Sequence, residues 1–297
     1  MGWRQNRYNK KSAAKLGWEP SWFSANDFNS FLVERIRDFQ QSHGLAQDGL
    51  CGPMTYRRRL SERQANLHVT SDDTGNYIIC EGAKIPIEWD KVVNIYDENA
   101  KVLPPKNYRR YKKNARNPRM IITHYDVCLS ANSCYNVLNR RGISSHFVID
   151  NDGTIYQMVD TQHEGWHAGK RAVNRAAIGI DLSNGVYTKY QAWYRKKGFG
   201  SRPIITDAKV HGRKMMDCLG FYDVQINAYK SLVRALCKHY NIPLDMPRNI
   251  DGTVLYGVSK DVLKGKYKGI ANHFHVTRGK IDTANLDWDK VLNELKD

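Results

Sequence analysis

The sequence has no apolar run long enough to span a bilayer. Its first residues are basic, but no apolar segment follows them, so the hydrophobic region of a secretion signal is missing. Asn6 stands where N-myristoylation of Gly2 requires Ser or Thr. We therefore expect a chain without a transmembrane segment, a lipid anchor or a signal peptide.

Cysteine is sparse, and no two cysteines form a CxxC pair. The six cysteines are Cys51, Cys80, Cys128, Cys134, Cys218 and Cys237. Neither their density nor their spacing is typical of a disulfide scaffold, a redox motif or a four-cysteine zinc site. Most are expected to be reduced and buried, and a bridge between Cys128 and Cys134 stays open.

Acidic residues are outnumbered by basic ones, 30 to 46, which gives a formal net charge of +16 and a pI near 9.5. Such a charge attracts polyanions. Nucleic acid, anionic lipid and the acidic polymers of a bacterial envelope all fit this description. The sequence contains neither a zinc-finger spacing nor an aromatic RNA-binding signature, so no specific nucleic-acid partner is expected.

What is present indicates a globular protein. The chain is 41% hydrophobic and has 7 Trp, 17 Tyr and 8 Phe, which argues against disorder. Its 297 residues favour a main domain with a smaller one beside it. The sequence gives no information on the oligomeric state, and a monomer is assumed.

The first part of the chain predicts helices. Apolar residues recur at helical spacing after an Asn26-Asp27 pair suited to capping. These residues are Phe28, Phe31, Leu32, Ile36 and Phe39. Gly and Pro turns follow, and a second short helix is expected over residues 54–60.

Residues 8–64 resemble the peptidoglycan-binding domain family of small three-helix modules. The resemblance rests on the pattern I-x-x-FQ, HGL, DG and GP-x-T. Its residues here are Ile36, Phe39, Gln40, His43, Gly44, Leu45, Asp48, Gly49, Gly52, Pro53 and Thr55. The resemblance implies a module that binds the cell wall.

Residues 65–117 are expected to form a linker with a β-hairpin extension. The strands of the hairpin are predicted at residues 77–80 and 84–87, on either side of Glu81-Gly82-Ala83. A basic, proline-bearing stretch follows, and its charged residues are expected to form a solvated face. They are Arg109, Arg110, Lys112, Lys113 and Arg116.

Residues 118–297 predict an α/β domain. Strands are expected within the segments 120–122, 145–149, 154–159 and 178–182, which are rich in β-branched and aromatic residues. Helical spacing is found over residues 226–240 and 286–296. A mixed central β-sheet flanked by helices follows from this alternation.

Some of the histidines could form a metal site. A hydrolytic zinc ion requires three protein ligands and an open position for water. His124 ends an apolar strand, and His273, His275 and Asp282 lie in one irregular segment downstream. Spacing alone does not choose among these residues.

The second domain also resembles a known family. The blocks ITHYD, SSHFVIDNDGTIYQMVD, EGWHAG, NRAAIGIDL and NHFHVTRGKID occur in the order found in the type 2 N-acetylmuramoyl-L-alanine amidases. That family includes phage endolysins and recycling amidases and is related to the peptidoglycan-recognition proteins. The resemblance implies one zinc ion and hydrolysis of the amide between N-acetylmuramic acid and L-alanine.

The resemblance also implies the metal ligands. The first ligand of the family ends the first core strand, which corresponds to His124. The second precedes a Val by three positions, and Val276 favours His273 over His275. The third follows a Lys by two positions, which corresponds to Asp282.

The resemblance implies the catalytic groups as well. Lys280 matches a Lys that stabilises the oxyanion formed at the scissile carbonyl. The carboxylate that accepts the proton of the zinc-bound water is a Glu in the recycling branch, and Asp181 stands there. A Tyr used for this purpose in some phage amidases is replaced by Ser145, so the general base is assigned to Asp181, which could instead orient a ligand histidine.

Substrate contacts are expected from four further residues. Trp166 and His167 match a family loop beside the substrate cleft, where an indole can form a wall and an imidazole can donate a hydrogen bond. Asn174 and His146 match positions near the cleft, although they could simply hold the scaffold. Packing is the alternative role for Trp166 as well.

The wall-binding module, the amidase and the missing signal predict a phage endolysin. Such a protein stays in the host cytoplasm until a membrane pore releases it to the cell wall. A cytoplasmic muropeptide-recycling amidase is the alternative, and a non-catalytic peptidoglycan-recognition protein is a third possibility, which the ligand Asp282 argues against. The partner expected in every case is peptidoglycan.

Overall fold

The computed structural model describes residues 3–65, 76–113 and 115–296, and for residues 61–65 it describes the backbone alone. The chain divides into two compact units, Met1–His68 and Val69–Asp297. The expected linker lies partly outside the described residues, at 66–75 and 114. The domain bounds 8–64, 65–117 and 118–297 therefore stay predictions.

The first unit is helical. Its helices are α1 (Trp3–Leu16), α2 (Ser30–Ser42) and α3 (Pro53–Ala65), with a 3-10 turn at Pro20–Phe23. Helix α2 begins later than the sequence predicts, because the Asn29 side chain, and not the Asn26-Asp27 pair, accepts the backbone N–H of Leu32. Phe31 lies on the outer side of α2 and is 52% exposed, unlike Leu32, Ile36 and Phe39 of the same apolar pattern.

A buried glutamine connects the motif residues of the first unit. The Gln40 amide donates to the side chains of Asp48 and Thr55, and its carbonyl oxygen accepts the backbone N–H of Gly49. Gln40 also donates to the backbone carbonyl of Leu50, and its side chain is 1% exposed. A buried amide requires hydrogen-bond partners. The contacts of Gln40 therefore explain why the motif has Asp-Gly and Thr at these positions.

The second unit is built on a six-stranded sheet with small hairpins around it. Its strands are β1 (Tyr77–Cys80), β2 (Ala83–Pro86), β3 (Val92–Val93), β4 (Tyr108–Arg109), β5 (Met120–Tyr125), β6 (Phe147–Ile149), β7 (Ile155–Gln157), β8 (Glu164–Gly165), β9 (Ala177–Leu182), β10 (Ile204–Ile205), β11 (Lys209–Val210), β12 (Arg213–Lys214), β13 (Cys218–Leu219) and β14 (Gly269–Asn272). Its helices are α4 (Ala131–Arg141), α5 (Arg171–Ala176), α6 (Gln191–Lys196), α7 (Asp223–Tyr240), α8 (Lys260–Leu263) and α9 (Trp288–Lys296). Short 3-10 turns lie at Pro105–Asn107, Thr188–Tyr190 and His273–His275.

The strands of the main sheet follow the order β14-β5-β9-β6-β7-β3. Every neighbouring pair is parallel except β6 and β7. The expected mixed sheet is confirmed. Strand β14 was not predicted, because its four residues are too short a run to show a β-pattern against the loop around them.

Helices cover both faces of this sheet. One face packs Ile121, Ile178 and Ile270 against α7 and α9, including Tyr229 and Trp288. The opposite face packs Met120, Ile122 and Ala177 against residues of α5 and α8. Successive strand residues thus point to opposite faces, and the even positions of β5 lead to His124 on the α5 side.

The expected hairpin of β1 and β2 belongs to the second unit. The two strands pair from Tyr77 with Pro86 to Cys80 with Ala83. The Asp160 carboxylate accepts the backbone N–H groups of Glu81 and Gly82 in the turn. These bonds fix the hairpin on the second unit, whose sheet also includes β3 at its edge.

Arg116 does not lie on a solvated basic face, as the sequence predicts, but is 4% exposed. Its guanidinium donates to the backbone carbonyls of Thr161, Asn174, Arg175 and Ala177. Burial lowers the pKa of Arg116 to about 10. A guanidinium has enough donors to bind several carbonyls at once, which explains why this cation is buried among backbone groups.

No helix within the described ranges is long and apolar enough to cross a membrane.

Candidate metal centre

Three neighbouring parallel strands end at the same edge of the sheet. His124 is near the carboxyl end of β5, Asp181 lies beside it on β9, and His273 directly follows β14. In the β5–β9 register His124 is paired with Asp181, so the two side chains lie on the same face of the sheet. The carboxyl ends of parallel strands are where binding sites of α/β proteins form.

His124, His273 and Asp282 converge in this position. The Nδ1 atoms of the two histidines are 3.0 Å apart, and the Asp282 Oδ2 atom is 3.2 Å from His124 Nδ1 and 3.0 Å from His273 Nδ1. The three side chains are 4 to 6% exposed. Among the described residues, they form the one His/Cys/Asp/Glu group with ligand atoms close enough to share a metal ion.

The donor set fits zinc. Zinc binds imidazole nitrogen and carboxylate oxygen at about 2.0 to 2.2 Å in a tetrahedral arrangement, which separates neighbouring ligand atoms by about 3.3 Å. The separations of 3.0 to 3.2 Å match this spacing. Two imidazole nitrogens and a carboxylate, buried and directed at one point, require a cation or shared protons between them.

The protonation states of the cluster suit a metal as well. Burial raises the pKa of Asp282, but the hydrogen bonds with His124 and His273 outweigh it, and the net pKa lies below the usual value. Burial lowers the pKa of His273, and the nearby His124 lowers it further. An ionised carboxylate and a neutral imidazole are the forms that bind metals.

His167 holds the outer nitrogen of His124. Its Nδ1 atom is 3.0 Å from His124 Nε2, and its own Nε2 atom is buried without a hydrogen-bond partner in the described part of the chain. If His124 binds a metal through Nδ1, its Nε2–H donates to His167, which then carries its proton on Nε2. His167 also lines the cleft. It therefore orients the His124 imidazole, a role that the sequence did not suggest.

A glycine makes room for His167. A Cβ atom at Gly179 would lie 2.7 Å from the Cγ atom of His167. Asn174 stabilises the same loop, because its side-chain oxygen accepts the backbone N–H of Ala168. The glycine of the AIGID segment and the asparagine before it thus position the imidazole.

His146 and Trp166 do not line the cleft. His146 is fully buried: its Nε2–H donates to the carbonyl of His163, and its Nδ1 accepts the N–H of Gly179. Burial lowers the pKa of His146 to about 3. The backbone of Trp166 pairs with Ser144, and its indole is half-buried. His146 and Asn174 thus make internal hydrogen bonds, and the substrate contacts expected of them and of Trp166 stay predictions.

His275 has no free nitrogen to offer. Its Nδ1 accepts the backbone N–H of Asn272, and its Nε2–H donates to the carbonyl of Leu255. Burial lowers its pKa to about 3. The structure therefore brings His273, and not His275, next to His124.

Asp181 and Lys280 line the same cleft as the three clustered residues. The cleft has a volume of about 250 Å³. Asp181 is 8% exposed, and burial raises the pKa of its carboxyl group, while the nearby His124 lowers it. Lys280 is exposed. It is the last residue of a turn in which its N–H donates to the carbonyl of Thr277.

Other residues of the cleft were not predicted. Helix α4 contributes Arg141, which brings a cation to the wall, and the loop after β5 contributes Asp126. Asp126 is half-buried and accepts the N–H groups of Cys128 and Asn184. No pattern marks Arg141, because a basic residue in the last turn of a helix is common. Side chains two residues apart on a strand lie on the same face, so the position of Asp126 beside His124 could have been predicted from the sequence.

The cysteines are free thiols in the structure. All are buried except Cys128, which is half-buried, so the expectation of reduced and mostly buried cysteines is confirmed. Cys128 and Cys134 both line the cleft and lie within hydrogen-bonding distance of each other. The bridge left open by the sequence is not formed.

A comparison with protein-family models matches residues 114–282 to the N-acetylmuramoyl-L-alanine amidase family. The match covers more than half of the chain. The chain belongs to this family. All three clustered residues, Asp181 and Lys280 fall within the matched range.

Several solved structures are similar to this one, among them an endolysin N-acetylmuramoyl-L-alanine amidase. AmpD shares 17% identity, covers 67% of this chain and 95% of its own, and has a TM-score of 0.38. The endolysin LysCS of Clostridium intestinale shares 19% identity, covers 61% and 85%, and has a TM-score of 0.37. The PlyG catalytic domain shares 18% identity, covers 66% and 92%, and has a TM-score of 0.40. No curated protein sequence matches this chain.

Proposed function

We propose that this amidase hydrolyses the amide between the lactyl group of N-acetylmuramic acid and the L-alanine of the peptidoglycan stem peptide, with one zinc ion held by His124, His273 and Asp282. One observation carries the proposal. Three buried ligand atoms meet at 3.0 to 3.2 Å in a cleft that also includes Asp181 and Lys280. Family membership supplies the bond that is cut.

A zinc ion held by His124, His273 and Asp282 would supply Lewis acidity, which lowers the pKa of bound water to about 7 and polarises a carbonyl. The residues of this chain do the rest. Asp181 accepts the proton of the attacking water, and its raised pKa suits it to return that proton to the departing amine. Lys280 places an ammonium at the edge of the cleft, where it stabilises the negative charge that develops on the carbonyl oxygen.

The reach of Asp181 is supported by the register of the sheet. The carboxylate is one methylene shorter than the Glu of the recycling enzymes. However, Asp181 is paired with His124 across neighbouring strands, so its carboxylate starts beside a ligand. A short side chain at this position is sufficient for a group that acts next to the metal.

We further propose that the first unit holds the enzyme on the wall and that the protein is a phage endolysin. The net charge of +16 would draw it to an acidic wall polymer. Tethering would raise the local concentration of the catalytic unit on an insoluble substrate. A recycling amidase acts on soluble fragments and does not need such a tether.

Digestion of purified sacculi tests the reaction. The released ends should be free L-alanine amines without new reducing sugars. A chelator should abolish the release, and added zinc should restore it. New reducing ends would identify a glycosidase and refute the proposal.

The comparison of two substrates tests the biological role. An endolysin should cut intact sacculi faster than soluble muropeptides at equal concentration of the target bond. The opposite preference would favour the recycling reaction. Stoichiometric zinc with no cleavage of either substrate would identify a non-catalytic receptor.

A further inference from the structure

A second cavity lies on the other side of the loop that carries Lys280. Its volume is about 370 Å³, which is within the usual range of ligand sites, about 300 to 1,000 Å³. It is lined by Val210, His211, Arg213, Lys214, Met215, Met216, Arg278 and Ile281. None of these residues lines the metal cleft.

The loop 278–282 is a wall between the two cavities. Arg278 and Ile281 line the second cavity, whereas Lys280 and Asp282 line the metal cleft. The Nε2–H of His211 donates to the carbonyl of Lys280 at 3.0 Å, which connects the hairpin of β11 and β12 to this wall. A ligand in the second cavity therefore lies next to the catalytic lysine.

The hairpin presents its cations from a tight turn. Strands β11 and β12 pair Val210 with Arg213 and Lys209 with Lys214. The two residues between them, His211 and Gly212, have φ angles of 54° and 75°. A two-residue turn with positive φ at both positions matches the twist of a hairpin, so Arg213 is held close to the turn.

The lining has an apolar floor and a cationic rim. Val210 and Met215 are 4% and 8% exposed. Arg213, Lys214 and Arg278 are exposed at the rim, and no carboxylate lines the cavity. Within the described residues, no ion pair involves any of these three cations. Such a site fits a short aliphatic chain that ends in an anion.

We propose that this cavity binds the free α-carboxylate of a γ-linked glutamate in the stem peptide, the second residue beyond the amide that is cut. The inference rests on the proposed function, which supplies the peptide. A γ-linked glutamate in a stem peptide leaves its α-carboxylate free. One extended residue spans about 3.5 Å, so the second or third residue can reach past the wall at Lys280.

The test uses the full chain and two soluble muropeptides that differ in one group. One is N-acetylmuramyl-L-Ala-γ-D-Glu-L-Lys, and the other carries an amide in place of the glutamate α-carboxylate. Binding is measured by calorimetry with a chelator present, and kcat/KM is measured with zinc. Binding reports on the cavity even if neither peptide is cut, and failure of cleavage alone refutes only the proposed function.

The charged peptide should bind about fivefold more tightly than its amide, because charge pairs near the surface contribute modestly. The double variant Arg213→Gln/Arg278→Gln should remove this preference and leave binding of the amidated peptide unchanged. Lys209→Gln is the matched control, since Lys209 is exposed on the same hairpin and does not line the cavity. It should retain the preference.

Three results would overturn the proposal. Equal binding of both peptides by the unchanged protein would show that the carboxylate is not recognised. Equal weakening by Lys209→Gln would show a general effect of charge. Displacement by glycerol-phosphate polymer, without a preference between the peptides, would assign the cavity to phosphate of the wall.

Discussion

At the scale of single residues, the most consequential side chain is Asp181, where this chain departs from the recycling enzymes. Its carboxylate lies in the cleft beside His124, and burial raises its pKa. These features suit a proton acceptor. Orientation of His124 is not left to Asp181, because Nδ1 of that histidine faces His273 and Asp282 and its Nε2 faces His167.

We expect Asp181→Asn to keep zinc and to lower kcat by about 100-fold or more, the range of general acid–base catalysis. Asp181→Glu should retain part of the activity, because the carboxylate is kept. Steady-state kinetics and metal analysis measure both effects. Full activity of Asp181→Asn would show that another group accepts the proton.

A second prediction separates the two neighbouring histidines. His273→Ala should lose both zinc and turnover, since one of three ligands is removed. His275→Ala should keep zinc but lower the free energy of unfolding by about 1 to 3 kcal/mol, because the N–H of Asn272 and the carbonyl of Leu255 lose their partner. Zinc content after dialysis decides the matter, and loss of metal in His275→Ala alone would reverse the assignment.

A third prediction concerns pH and His146. Its pKa is about 3 in the fold and about 6.5 in an unfolded chain, so the unfolded state takes up the proton first as the pH falls. Above pH 6.5 the ring is neutral in both states, and His146 does not reduce the free energy of unfolding. As the pH falls from 6.5 towards 3, the free energy of unfolding decreases, because the unfolded chain binds the proton and the fold does not. By pH 5 the loss is about 2 kcal/mol.

His146→Gln removes this dependence while it keeps a donor and an acceptor. The variant should therefore be destabilised less, relative to the natural chain, at pH 5 than at pH 7.5. Denaturant unfolding at the two pH values measures the difference. An identical loss at both would show that His146 does not cause it.

At the scale of elements, Arg116 connects the segment before β5 to the loops that carry the GWHAG block. It donates to carbonyls of Thr161, Asn174, Arg175 and Ala177. Asn174 in turn holds the backbone of Ala168 next to His167. The position of the imidazole that orients His124 thus depends on the buried guanidinium of Arg116.

We expect Arg116→Met to lower the free energy of unfolding by about 3 kcal/mol, because buried carbonyls lose their donors. Arg119→Met is the matched control, since Arg119 is exposed, and it should change stability by less than about 0.5 kcal/mol. Denaturant unfolding compares the two. Equal effects would mean that the carbonyl contacts contribute little.

At the scale of the whole molecule, the two units carry different proposed tasks. Both are basic: the second unit has most of the excess of Lys and Arg, and the first has a smaller excess. Charge alone therefore does not assign wall binding to either unit. Their separation on the chain allows the tasks to be tested apart.

A chain without residues 1–68 should cut soluble muropeptides at an unchanged rate and intact sacculi at least tenfold more slowly, because tethering raises effective concentration. Rates on both substrates, with melting curves as the folding control, test this. Raising the salt should reduce wall binding of the full chain. Equal activity on sacculi would remove wall binding from the first unit.

The sequence by itself predicts much of this protein. Helix α7 has a long apolar repeat at helical spacing and strand β9 is rich in β-branched residues, so their type is found without knowledge of their neighbours. Ordered motif blocks led to the family and to His124, Asp282 and Lys280. The family match at residues 114–282 confirms the amidase family, and the resemblance of residues 8–64 to a peptidoglycan-binding domain stays a prediction.

Only the tertiary structure brings the parts of the site together. The pairing of His124 with Asp181 depends on β5 and β9 being neighbours, and the position of His273 depends on β14, which is too short to predict. The burial of Arg116 depends on carbonyls from distant segments. Local patterns specify elements, whereas register, long-range hydrogen bonds and the second cavity arise only when elements distant in sequence pack side by side.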